Sequence, residues 1–313
     1  MMNRKTGSLF GPFFLCLCLL FTGCGKSPAP QPDTTPASEA PKPKGSRDNT
    51  AAVLTPQADG KDTYECDTAA IDASNTSEGY VMVSYSGSNK KVKLQVTGPD
   101  GVTYTYSLHG DYEVFPLTAG DGSYKVEVYE NISGTKYAAI LSQELTVKLS
   151  NEFGPYLYPN QYVNFDSGSL PVAEAVRLAE PANNDLDVVS AVYDYMIANF
   201  TYDYDKAASV ESGYLPVVDQ VFTEKSGICF DYASVMAAML RSQRIPTRME
   251  VGYMGEEYHA WLSIYVEDEG WINGIIEFDG KDWELLDPTF ASTSDSPKDF
   301  IPENGKYITK YVY

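Results

Sequence analysis

Gly227-Ile228-Cys229-Phe230-Asp231-Tyr232-Ala233 sets the architecture of the second half of this 313-residue chain. From Ile228 to Leu240 the apolar residues recur at helical spacing, and Pro246 ends the segment. Cys229 therefore stands at the start of a predicted helix. Unpaired main-chain N–H groups and a partial positive charge at such a position favour a thiolate, and the same N–H groups can stabilise an oxyanion.

Two later motifs supply an imidazole and a carboxylate. They are His259-Ala260-Trp261 and Asp287-Pro288-Thr289, and His259 is one of only two histidines in the chain. The other, His109, stands in a Gly-Asp turn and is expected to be solvated. We predict that Cys229 is a catalytic nucleophile, His259 its acid and base, and Asp287 the group that orients the imidazole.

The residues around these motifs predict an α+β domain over 151–313. A helix is expected from Leu186 to Phe200, capped by Asn183-Asn184-Asp185, and a second helix from Gly227. Residues 151–181 have no clear periodicity. Strands are predicted at Thr247–Met254, His259–Val266, Gly274–Phe278 and Trp283–Leu286. Helices packed on an antiparallel sheet follow from this order.

The first half divides into three segments. Residues 1–23 combine a basic start, a short apolar stretch and small residues, which predicts a signal peptide. Cys24 directly after Thr22-Gly23 resembles the lipidated residue of a bacterial lipoprotein. Residues 24–62 are rich in Pro, Ser and Thr and predict a disordered tether. Residues 63–150 contain short alternating strands between turn signals, which predicts a β-sandwich of immunoglobulin-like type.

Composition excludes several classes of function. The formal net charge of −20 argues against a nucleic-acid partner. One Cys, one usable His and one Asp are too few ligands for a zinc site, and no segment matches a calcium loop. We therefore expect neither a metal nor a cofactor. Cys66 and Cys229 are the cysteines left after the signal peptide and Cys24, so no disulfide framework is expected.

The sequence also leads to expectations about residues near the three candidates. A carboxylate near the thiolate would oppose a lowered pKa of Cys229, so Asp231 is expected to face away from it. The side-chain donor to an oxyanion is expected among Tyr202, Tyr204 and Gln220, and the sequence does not choose between them. Trp261 and Trp283 are expected in the core or the wall of a cleft.

The motifs together resemble the transglutaminase-like superfamily over roughly residues 185–290. The resemblance also includes Leu240-Arg241 and Ile245-Pro246-Thr247-Arg248. It implies a papain-like core and a Cys-His-Asp triad, placed here at Cys229, His259 and Asp287. An additional hairpin-like segment, Trp271–Lys281, stands between the last two and can wall the cleft.

The resemblance is more specific for the fold than for the reaction. It implies a thiol-dependent acyltransferase or hydrolase that acts on carboxamide or peptide bonds of a protein or peptide substrate, including substrates associated with the cell wall. The alternatives are a cysteine peptidase or amidase that processes cell-surface peptides, and a non-catalytic surface binding module. The expected location is extracytoplasmic, with the chain anchored through Cys24 to the outer face of the bacterial cell membrane.

Overall fold

The computed structural model describes residues 43–254, 256–267, 270–278, 283–285 and 307–313. The predicted signal peptide, Cys24, Asp287 and the first part of the predicted tether lie outside the described residues. Residues Lys42–Tyr313 form one compact unit. No described helix has the length and apolar character needed to cross a bilayer.

Eight strands between residues 63 and 147 form two four-stranded antiparallel sheets. One sheet has the order β1-β2-β3-β6 and the other the order β5-β4-β7-β8. The strands are β1 (Thr63–Glu65), β2 (Ala69–Asp72), β3 (Tyr80–Tyr85), β4 (Val92–Thr97), β5 (Thr103–Ser107), β6 (Glu113–Pro116), β7 (Gly122–Ser133) and β8 (Lys136–Val147).

The apolar faces of the two sheets contribute to a shared core. In β4 the buried residues Val92, Leu94 and Val96 alternate with partly exposed ones, as the period-two pattern predicts. Tyr106 of β5 contacts Phe115 of β6, with ring centroids 4.8 Å apart, so buried rings of the two sheets touch. The immunoglobulin-like connectivity of these sheets stays a prediction.

The second half is a mixed α and β structure. Its helices are α1 (Leu170–Ala179), α2 (Asp185–Asn199), α3 (Tyr204–Ser209), α4 (Val218–Glu224) and α5 (Cys229–Ser242). Two short strands, β9 (Thr201–Tyr202) and β10 (Ser226–Gly227), pair in parallel. A five-stranded antiparallel sheet has the order β14-β13-β12-β11-β15. Its strands are β11 (Thr247–Met254), β12 (Glu257–Val266), β13 (Gly270–Phe278), β14 (Trp283–Leu285) and β15 (Tyr307–Val312).

The buried helix α5 lies at the centre of this half and contacts α1, α2, α4, β11 and β12. Its buried Arg241 donates to the main-chain oxygens of Thr247, Tyr158 and Tyr313, at 2.8 to 3.1 Å. Burial lowers the pKa of this guanidinium to about 9, which still leaves it charged at neutral pH. Arg241 thus joins the end of α5 to three separate segments, because each of their carbonyl groups needs a donor.

The fold contains elements that the sequence did not predict, among them α1, α3, α4 and β15, and β13 begins at Gly270 instead of Gly274. Helix α1 lies in 151–181, where no regular structure is predicted; Pro171 near its start suits a first helical turn. Residues 43–57, placed in the predicted tether, lie instead along the helical half as far as Ala52, and the N–H of Gln57 donates to the hydroxyl of Tyr80 in β3 at 3.0 Å. Arg47 pairs with Asp185 at 2.6 Å, and the N–H of Ala52 donates to the oxygen of Ser242 at 2.8 Å. We call residues 43–57 the strap.

Candidate active site

Cys229 is the first residue of α5, as the sequence predicts. The preceding strand β10 pairs with β9, and this places Gly227 opposite Tyr202. A Cβ atom on Gly227 would lie 2.7 Å from the Cβ of Asp231, so glycine is required there. Asp231 accepts a hydrogen bond from the N–H of Ile228 at 2.9 Å and thereby caps the helix.

Three donors surround the sulfur of Cys229. The main-chain N–H groups of Ala260 and Phe230 and the hydroxyl of Tyr202 each donate a hydrogen bond to Sγ. Ala260 directly follows His259 in β12, so this contact brings the thiol against the strand that carries the imidazole. The main-chain N–H of Cys229 also donates to the oxygen of Tyr202.

The groups around the Cys229 thiol act on its pKa in opposite directions. Burial raises the pKa of Cys229, while the N–H groups of Ala260 and Phe230 and the Tyr202 hydroxyl lower it and the charge of Asp231 raises it further. Burial has the largest effect, because removing the thiolate from water costs more free energy than the hydrogen bonds from these donors restore. The raised pKa favours the neutral thiol over the thiolate.

Cys229 and His259 line one cleft with a volume of about 520 Å³. His259 is buried, with 6% of its surface exposed. The third predicted residue, Asp287, lies outside the described residues. The described lining is mostly aromatic and apolar. It consists of Tyr162, Tyr202, Ala207, Val210, Glu211, Ser212, Gly213, Tyr214, Ile228, Cys229, Phe230, Val251, Tyr258, His259, Ala260 and Tyr313.

Of the three candidate oxyanion donors, the structure places Tyr202 at the sulfur. Tyr204 is 61% exposed and packs on the Tyr202 ring with centroids 4.9 Å apart. Gln220 is exposed on α4 and donates to Glu224 at 2.8 Å. Burial raises the pKa of Tyr202 to about 12, so its hydroxyl stays protonated and able to donate at neutral pH. The β9–β10 pairing that selects Tyr202 joins two-residue strands, which sequence periodicity does not reveal.

The carboxylate of Asp231 contacts a partly buried polar cluster that the sequence did not indicate. The Nζ of Lys206 lies 2.6 Å from Oδ2 of Asp231, and the hydroxyl of Tyr214 donates to Oδ1 at 2.5 Å. Lys206 also donates to the Tyr214 oxygen at 2.7 Å. Asp231 is fully buried, and Lys206 balances its charge. We call Lys206, Tyr214 and Asp231 the latch.

Aromatic side chains connect the cleft to the two N-terminal sheets. Tyr162 and Tyr313 line the cleft and contact each other with centroids 4.5 Å apart. Tyr162 stacks on Tyr106 of β5 at 5.6 Å, and Tyr313 meets Tyr104 at 5.7 Å. The N-terminal sheets therefore support one wall of the cleft, since these rings pack without intervening space for solvent.

Trp261 and Trp271 are not part of the described lining of the cleft. Trp261 is buried in β12 and is absent from the described lining. Trp271 packs on Arg248, whose guanidinium carbon lies 3.6 Å from the ring centroid, and on Tyr156. Residues 279–281 of the additional hairpin and the side chain of Trp283 fall outside what the structure describes.

Two other groups that could react, Cys66 and His109, lie outside the described lining of the cleft. Cys66, like Cys229, is a free cysteine. His109 is exposed, and its Nδ1 lies 3.2 Å from Glu113. Within the described part of the chain, no group of three or more His, Cys, Asp or Glu residues is arranged to hold a metal ion.

Comparison with known proteins connects this geometry to a family. Residues 173–274 match the family model described as the transglutaminase-like superfamily. The match includes α2, α5, β11 and β12, and so both Cys229 and His259.

Two relatives are similar to this chain over only a small part of their own length. The uncharacterised protein YebA of Bacillus subtilis is 30% identical over 149 residues, which cover 40% of this chain and 20% of that protein. A protein-glutamine gamma-glutamyltransferase of Pseudomonas aeruginosa is 32% identical over 88 residues, 24% of this chain and 13% of that protein. The chain thus spans at most a fifth of either relative.

A suggested cysteine protease from Cytophaga hutchinsonii is a solved structure similar to this chain. It is 16% identical, the match covers 80% of this chain and 73% of that one, and the TM-score is 0.36. This likeness is too weak to support conclusions about the reaction.

Proposed function

We propose that the protein is a thiol-dependent acyltransferase or hydrolase, because residues 173–274 match the transglutaminase-like family model. Its substrates are carboxamide or peptide bonds of proteins or peptides. The observation that carries the proposal is the contact of the Cys229 sulfur with the N–H of Ala260, beside His259, at the floor of an open cleft. Cys229 is the nucleophile, His259 the acid and base, and Asp287 the residue that orients His259.

The reaction begins with a neutral thiol. His259 takes the proton of Cys229 as the sulfur attacks the carbonyl carbon, and the C–S bond forms. The carbonyl oxygen becomes an oxyanion that the Cys229 N–H and the Tyr202 hydroxyl can stabilise, since both donors lie beside the sulfur. The protonated imidazole then gives its proton to the departing nitrogen. Ammonia or an amine leaves, and a thioester remains on Cys229.

The second half-reaction returns the thiol. A primary amine or water attacks the thioester, His259 accepts one of its protons, and the C–S bond breaks. The sulfur leaves as a thiolate and recovers its proton from the imidazolium. An amine gives a transferred acyl group, and water gives a carboxylic acid. The name of the Pseudomonas aeruginosa relative favours transfer as the first outcome to test.

A labelling experiment tests this function. The full-length chain is incubated with a mixture of Gln- and Lys-containing proteins and a labelled primary amine, and products are read by mass spectrometry. Cys229→Ala is the test variant, and Cys66→Ala is its matched control because Cys66 is also free and partly buried. Label on glutamine that needs Cys229 identifies transfer. Deamidation or cleavage that needs Cys229 identifies hydrolysis or the peptidase alternative.

A binding module predicts a different pattern. In that case the products are the same for the wild type, Cys229→Ala and Cys66→Ala, and no bond is changed by any of them. Such a result contradicts the proposed enzyme.

We also infer an extracytoplasmic location with a lipid at Cys24. The basic, apolar and small residues before Cys24 support this inference. Cells that express the chain are fed a labelled fatty acid, and the labelled protein is compared with Cys24→Ala. Label that depends on Cys24, with the protein accessible to protease on intact cells, is expected. An unlabelled or protease-shielded protein contradicts the inference.

A further inference from the structure

One wall of the cleft is a short segment that spans the last residues of α3 and the turn after it. Residues 207–214, which we call the rim, contribute Ala207, Val210, Glu211, Ser212, Gly213 and Tyr214 to the lining. The rim folds into a turn, in which the N–H of Tyr214 donates to the oxygen of Glu211 at 3.2 Å. Gly213 has a φ of +91°, a conformation that favours glycine.

The latch holds the rim against the helix of the nucleophile. Lys206 precedes the rim and Tyr214 ends it, and both contact Asp231, the third residue of α5. Two anchors on one buried carboxylate fix the rim at both ends, because breaking either leaves a buried charge with fewer partners. The residues between the anchors are thereby positioned relative to Cys229.

Charge in the described part of the cleft is unbalanced. Lys206 and Asp231 neutralise each other behind the rim. Apart from Cys229, His259 and the tyrosine hydroxyls, Glu211 is the one ionisable residue in the described lining. No ion pair with Glu211 occurs among the described residues. Its exposed carboxylate therefore gives the described part of the cleft a negative charge.

The rest of the lining suits an aliphatic chain. Tyr258, at 56% exposure, presents its ring to the cleft together with exposed Val210. Aromatic faces attract cations as well as apolar groups. An alkyl chain that carries an ammonium group matches this combination of apolar walls and one carboxylate better than an acidic chain does.

We propose that Glu211 forms a subsite for a positively charged group on the amine substrate. The amine that attacks the thioester then carries a second, cationic group a short alkyl chain away, as diamines and lysine-rich peptides do. The reacting nitrogen attacks as a neutral amine and passes a proton to His259, while the second ammonium stays protonated beside Glu211. This inference rests on the proposed acyl transfer and names the class of its second substrate.

Three amines of similar length provide the test. Cadaverine carries a second ammonium, pentylamine carries none, and aminovalerate carries a carboxylate. The full-length chain is given a Gln-containing peptide, and incorporation of each amine is measured along with ammonia release. The expected order of kcat/KM is cadaverine, pentylamine, aminovalerate, with steps of about threefold to fivefold, the size of an exposed charge pair. The steps shrink as salt is added.

Variants of Glu211 separate charge from shape. Glu211→Gln is expected to make the three amines nearly equal, and Glu211→Lys to reverse their order. Glu144→Gln, at an exposed glutamate of β8 outside the described lining, is the matched control and keeps the wild-type order. An order unchanged in Glu211→Lys overturns the subsite.

Ammonia release distinguishes the two proposals. Cys229-dependent release of ammonia without any preference among the amines, or without incorporation of any, leaves the thiol enzyme intact and overturns only the subsite. Absence of Cys229-dependent ammonia release and incorporation overturns both.

Discussion

The hydroxyl of Tyr202 lies between two groups of Cys229: it accepts from the main-chain N–H and donates to Sγ. Both residues owe this position to the pairing of β9 with β10, which ends one residue before the helix N-cap. The arrangement sets the Tyr202 hydroxyl beside the sulfur, where the proposed reaction places the carbonyl oxygen of the substrate.

Tyr202→Phe is expected to lower kcat by about a hundredfold, the usual loss for one oxyanion donor. The ring stays and preserves packing, so the thermal midpoint is expected to change little. Steady-state kinetics with a Gln-containing peptide measure the effect. Tyr204→Phe is the matched control, because Tyr204 is 61% exposed and lies outside the described lining of the cleft. Equal activity of the two variants contradicts the role of Tyr202.

The alkylation rate of Cys229 is expected to rise with pH beyond the range in which free cysteine reaches its plateau. Burial raises the pKa of this thiol, and only the thiolate reacts. Reaction with iodoacetamide at a series of pH values, read peptide by peptide, gives the midpoint for Cys229 alone. Tyr202→Phe is expected to move the midpoint higher, since one donor to the thiolate is lost. A midpoint below that of free cysteine contradicts the neutral resting thiol.

Stability is expected to fall at alkaline pH through the tyrosines of the cleft. Burial raises the pKa of Tyr162, Tyr202 and Tyr214 to about 12, from 10.0. The folded chain therefore keeps protons that the unfolded chain loses. This contribution is complete below about pH 10 and is lost as the pH rises toward 12. Urea unfolding across that window measures it; a constant free energy of unfolding would contradict the raised pKa values.

Lys206→Met is expected to destabilise the fold by about 2–4 kcal/mol, because it leaves the buried carboxylate of Asp231 without its cation. The same change is expected to raise KM more than it lowers kcat, since it releases one end of the rim. Chemical unfolding and steady-state kinetics report the two effects. Lys148→Met, at an exposed lysine after β8, is the control.

Addition of Asp231→Asn to Lys206→Met tests the cause of that loss. The double variant removes the unpaired charge and is expected to recover part of the stability. A double variant that loses the sum of the two single losses shows that the charges do not interact.

Local patterns predicted the elements that carry the site. The helical spacing after Gly227 predicted α5, and Asn184 caps α2 by accepting from the N–H of Asp187 at 2.9 Å. The period-two strands of the first half are present as two sheets. These features follow from residues close in sequence, whose spacing is visible without knowledge of the fold.

Contacts between residues far apart along the chain could not be predicted from the sequence. The Lys206–Asp231 pair joins residues 25 positions apart, and the strap meets α5 through main-chain groups that composition does not report. The pKa of Cys229 also depends on burial, which outweighs the helix N-terminus that the sequence displays. Tertiary packing determines each of these features, so periodicity and motif spacing do not predict them.

The most direct measurement is the mass of the intact chain after brief incubation with a Gln-containing peptide and acid quench. We predict an adduct equal to the peptide minus ammonia, located on Cys229 by peptide mapping and removed by hydroxylamine, as a thioester requires. The adduct is expected in Cys66→Ala and absent in Cys229→Ala. An adduct on another residue, or identical masses in wild type and Cys229→Ala under conditions of turnover, contradicts Cys229 as the nucleophile.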